Sequence, residues 1–162
     1  DGTLDISLAP RPPSQATDPA IRFKPIAHLD QIVVARRGHP MAGARSAGAL
    51  SAEERLSNLR RDVAAGALRA LGVPEPNRIT ECESFSTLLA LLSGSDMLAV
   101  VQRPFLDMPR VAEHVREIPI AERLPGLTVG MHTRADAPLT RPAAALARIL
   151  TEVGRRLLQR GR

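Results

Sequence analysis

Tryptophan and tyrosine are missing from this 162-residue chain, and phenylalanine occurs three times. A surface that stacks nucleic-acid bases needs aromatic faces, so that class of binder is disfavoured. A single cysteine, Cys82, excludes an internal disulfide framework and points to a reducing compartment. No apolar run is long enough to cross a bilayer, which predicts a soluble chain with no membrane partner. The opening Asp1-Gly2-Thr3 lacks the basic and apolar regions of a signal peptide, and the chain reads as a fragment of something longer. Lysine is almost absent as well, with arginine supplying 21 of the 22 basic residues. The formal charge of +5 is spread out, except for Arg155, Arg156, Arg160 and Arg162 near the end. That cluster reads as a solvated helix end, because a nucleic-acid binder concentrates its charge on one recognition element.

What is present is alternation of strands and helices. Arg78–Glu83 has the two-residue period of a strand. Phe85, Leu88, Leu89 and Leu92 then fall on one helical stripe. Gly94 stands where a left-handed helix cap belongs. Met97–Val101 is a continuous apolar run, as in a strand buried on both faces. Together these form a βαβ unit, whose two strands run parallel across a helical connection. Around it, strands are expected at Leu4–Ala9, Ile21–Ile26, Gln31–Arg36, Val115–Ile120 and Leu127–Thr133. Pro25 assigns the second of these to a sheet edge. Ser51-Ala52-Glu53-Glu54 is a capping-box pattern and opens a helical region that Gly72 and Pro74 close. Pro109–Glu113 is a helical turn. The last helix starts at Thr140 and carries Leu146, Ile149, Leu150, Val153 and Leu157 as its packing stripe. The class is α/β.

The four histidines have no metal-ligand spacing among themselves or with Cys82, and read as surface or loop residues. Neither a glycine-rich phosphate loop nor a nucleophile elbow occurs, so no enzyme activity, metal or cofactor is expected. Open α/β sheets bind ligands beyond the carboxyl ends of their strands. Here those ends carry Ser84, Phe85, Ser86 and Thr87, then Gln102 and Arg103, with Pro10 closing the first strand. Free N–H groups at the helix start, hydroxyls of Ser84, Ser86 and Thr87, and the Arg103 cation suit a carboxylate or similar anion. Ser84 is equally well suited to capping the helix.

Four stretches resemble the effector-binding domain of LysR-type transcriptional regulators. They are Asp1–Pro10, Ile32–Ala42 with its Arg-Arg-Gly-His-Pro, Glu81–Val101, and Leu127–Leu139 before the terminal helix. Gln102 stands where the family typically has proline. The resemblance implies a type 2 periplasmic-binding-protein-like fold, two α/β lobes joined by two crossing strands. Lobe 1 would be 1–37 with 127–162, lacking its first strand and helix, and lobe 2 would be 38–126. It also implies a small carboxylate-like effector held in the cleft between lobes. A cytoplasmic, non-enzymatic sensor is expected, homodimeric or homotetrameric at full length. DNA contact would belong to an N-terminal helix-turn-helix outside this sequence. A solute-binding protein of a transport system is the alternative on the same fold.

Overall fold

The computed structural model describes residues 4–11, 18–50, 55–57, 61–73, 79–82 and 84–160. The chain divides into two compact units, Asp1–Leu29 with Gly126–Arg162, and Asp30–Pro125. No helix among the described residues is long and apolar enough to cross a membrane.

The second unit is built on a five-stranded sheet. Its strands are β3 (Gln31–Arg36), β4 (Arg55–Ser57), β5 (Ile79–Glu81), β6 (Leu98–Gln102) and β7 (Val115–Glu117), in the order β5-β4-β6-β3-β7. β3 and β6 are apolar at successive positions because both faces of the sheet are covered. Ile32, Val34, Ala99 and Val101 face one buried cluster, and Val33, Ala35, Leu98 and Val100 face the other. Helix α2 (Phe85–Gly94) closes the first face with Leu88 and Leu92, both fully buried. Each such side chain contributes about 1.5–3 kcal/mol by leaving water.

The expected βαβ unit is present with a correction. β5 and β6 both run parallel to β4, which lies between them, so the two predicted strands are not neighbours. β4 falls where the sequence predicts helix, and among the described residues of that stretch the helix is Arg61–Ala70 (α1). The capping-box residues 51–54 lie outside the described residues. Helix α1 ends in a Schellman motif: Val73 N–H donates to the Leu68 carbonyl and Gly72 N–H to that of Arg69. Gly72, expected to close the helix, adopts φ +68 there. Gly94 does not; the residue after it, Ser95, caps α2 in extended conformation (φ −144). Hydroxyls serve instead, Ser93 Oγ donating to the Leu89 carbonyl and Ser95 Oγ to that of Leu91, each at 2.7 Å.

His39 is a loop residue, within the surface-or-loop reading of the histidines, but it is buried. Its Nδ1 accepts from Met41 N–H at 3.0 Å and its Nε2 lies 2.8 Å from the Asp96 carbonyl. The imidazole thereby ties the 3-10 turn Pro40–Gly43 to the strand approach before β6. Beyond β6 comes the short helix α3 (Pro109–Ala112).

The first unit is an antiparallel sheet of β1 (Ser7–Arg11), β8 (Leu127–Arg134) and β2 (Ile21–Leu29), with β8 in the middle. β2 is an edge strand, as Pro25 requires, and its register shifts between Pro25 and Ala27. It runs three residues further than the sequence suggests, to Leu29. β1 starts later than expected, at Ser7, and Leu4 and Leu8 are exposed. Helix α4 (Arg141–Arg160) packs on β2. Its packing stripe is a second correction: Leu146, Ile149 and Val153 are exposed, while Ala143 and Gly154 are buried. Gly154 lies so close to Ile26 that a Cβ would stand 2.0 Å from its methyl carbon, so small residues form the docking face.

Candidate functional site

The start of α2 is held by its own hydroxyls. Ser84 is extended (φ −83, ψ 119), and its Oγ accepts from Thr87 N–H at 3.5 Å and meets Ser86 Oγ at 3.1 Å. Ser84 is therefore the helix cap, the structural alternative allowed by the sequence. Phe85 is partly exposed and packs edge-on against Phe105 at 5.0 Å. Phe85 and Ser86 line an open, mainly apolar groove of about 860 Å³ with Leu89, Met108 and Val111. Thr87 is exposed on the first turn.

The end of β6 leads elsewhere. Gln102 stands opposite Gln31 in the β3–β6 ladder. Arg103 N–H donates to the Asp30 carbonyl at 2.8 Å, and its guanidinium forks onto Glu117 at 2.8 and 2.9 Å. That bidentate pair raises the Arg103 pKa first of all; desolvation opposes it, and the charges of Glu117, Asp30 and Asp107 add to it. Arg103 is a cation with a resident carboxylate, where the sequence expected one open to a ligand.

Arg103 borders a polar concavity of about 350 Å³. Its rim carries Asp30, Gln31, Glu117, Glu122 and Arg123, over Val33, Ile118 and Leu124. Glu122 is anchored, its Oε2 accepting from Ala47 N–H at 2.8 Å. Gln31 is only 6% exposed, and its amide Nε2 has no hydrogen-bond partner. Ser84, Phe85, Ser86, Thr87 and Gln102 do not line this concavity; Phe85 and Ser86 line the apolar groove, and Ser84, Thr87 and Gln102 line neither of the two. Pro10 belongs to the other unit, where it faces Val129 in the β1–β8 ladder. Sequence reasoning missed Asp30, Gln31, Glu117, Glu122 and Arg123. Only Gln31 left a trace, as an amide heading an otherwise apolar strand.

A family model described as the LysR substrate binding domain matches residues 1–155. Among solved structures, the Synechocystis CcmR regulatory domain, in complex with 2-PG, superposes with a TM-score of 0.70 at 19% identity. The match covers 93% of this chain and 73% of that one. The effector binding domain of QuiR, in complex with shikimate, gives 0.70 at 14% identity over 94% of this chain and 72% of that one. A probable transcriptional regulator of Pseudomonas aeruginosa gives 0.74 at 19% identity, covering 92% of this chain. The chain spans 50% of that regulator's length. At these identities the likeness shows the fold, the type 2 periplasmic-binding-protein-like α/β arrangement.

Proposed function

The chain belongs to the LysR substrate-binding domain family, and on that premise we propose that it is the effector-sensing part of a bacterial LysR-type regulator. Its two lobes are residues 1–37 with 127–162 and residues 38–126. A small metabolite with an anionic group is its effector and is bound without being transformed. Occupancy controls DNA binding by a helix-turn-helix domain in the complete, cytoplasmic regulator, which works as a homodimer or homotetramer. The observation that carries the reading is the family match over residues 1–155. The polar concavity beside Arg103 supports it with room suited to a small molecule. The shikimate complex of QuiR supports a carboxylate.

Transcript profiling tests the reading in a strain with the complete gene deleted. A small, metabolite-dependent set of transcripts should change and be restored by the intact gene. Unchanged transcripts together with lost uptake of a metabolite would instead describe a transport component.

A further inference from the structure

We propose that the effector is amphoteric, an amino-acid-like molecule carrying an ammonium group beside its carboxylate. The inference rests on the sensing reading above and assigns the recognition to Asp30, Gln31, Arg103 and Glu117. Although the chain as a whole is basic, the concavity is not: three carboxylates (Asp30, Glu117, Glu122) face two guanidinium groups (Arg103, Arg123). A ligand that is only an anion and binds at Arg103 would have to take it from Glu117. It would leave Glu117 unpaired beside further negative charge, a net loss.

An amphoteric ligand avoids that loss. Its carboxylate meets Arg103, its ammonium meets Glu117 beside Asp30, and one ion pair becomes two without leaving Glu117 unpaired. Opening the resident pair is cheap, because Arg103 is 48% and Glu117 31% exposed and such pairs are weak in water. Gln31 supplies the independent observation. It lines the same concavity, and its Nε2 donor is buried without a hydrogen-bond partner among the described residues; a ligand oxygen completes that bond where binding uncovers the amide.

The experiment is dye-reported thermal unfolding, since the chain has no tryptophan or tyrosine to report on itself. The chain is heated with each proteinogenic L-amino acid at millimolar concentration, and in parallel with its deaminated carboxylic acid. At least one amino acid should raise the melting temperature while its deaminated partner does not. Glu117→Gln should weaken that ligand by about 10-fold or more, the loss of one hydrogen bond to a charged group. Gln31→Leu should raise the ligand-free melting temperature and lower the ligand response. A purely structural glutamine would leave the response alone. Equal shifts from amino acids and deaminated acids overturn the amphoteric effector and leave the sensing reading standing. Silence from the whole panel also overturns it, and the transcript profile then judges the sensing reading separately.

Discussion

Gly130, in the middle strand of the three-stranded sheet, occupies a place where no side chain fits. A Cβ there would lie 2.4 Å from two carbons of the Phe23 ring and 2.6 Å from the Lys24 carbonyl oxygen. The ring can tilt, but the carbonyl belongs to the paired strand β2 and cannot retreat without breaking the ladder. Gly130→Ala should therefore destabilise the chain by about 1–3 kcal/mol, the usual cost of overpacking. Urea unfolding followed by circular dichroism measures it, and a change within error would show that β2 yields freely. Arg103→Ala should do the opposite of what its bidentate geometry suggests. At 48% exposure its pair with Glu117 contributes at most about 1 kcal/mol, so the melting temperature should barely move. A loss several times larger would make the pair structural and weaken its part in ligand recognition.

Gly72 and Gly94 look alike in the sequence, each just past an apolar helical stripe, yet the structure gives them different work. Gly72 is left-handed (φ +68) inside the Schellman motif, whereas Gly94 completes the last turn of α2 with open space where a Cβ would go. Gly72→Ala should cost about 1–2 kcal/mol for the left-handed backbone. Gly94→Ala should stabilise by about 0.5–1 kcal/mol, as alanine does inside a helix. Thermal unfolding of the two variants should move in opposite directions, and equal shifts would refute the assignment. The same contrast explains which elements were legible. β3, α2, β6 and β8 each carry their own period, so local pattern suffices. β4 is three residues long and owes its strand state to parallel partners on both sides, which no local window contains. α4 was legible as a helix, but its buried face was set by the close approach of Gly154 to Ile26. Arg103 stood out as a strand-end cation. Its carboxylate partner did not, because Glu117 reaches it only through β3, which pairs with both β6 and β7.

At the scale of the whole chain, the two units differ sharply in what holds them. Among the described residues, nearly all the buried apolar side chains belong to Asp30–Pro125; the other unit contributes Leu127, Met131 and Ala143. Its α4 leaves Leu146 at 48%, Ile149 at 57% and Val153 at 47% exposure, so these apolar side chains are buried only in part. Its sheet has one central strand and two edges, and small open sheets of this kind gain little from pairing alone. Backbone opening follows local stability, so amide exchange should separate the units. Amides of β3 and β6, buried on both faces, should exchange only through global unfolding. Those of β8, although central in its own sheet, should exchange through cheaper local opening, faster by about 10-fold for each 1.4 kcal/mol of difference. Hydrogen–deuterium exchange resolved to peptides covering Gln31–Arg36, Leu98–Gln102 and Leu127–Arg134 makes the comparison directly. Equal protection in all three would mean that the chain opens as one cooperative body, and that the thin core of the first unit is compensated by something other than burial.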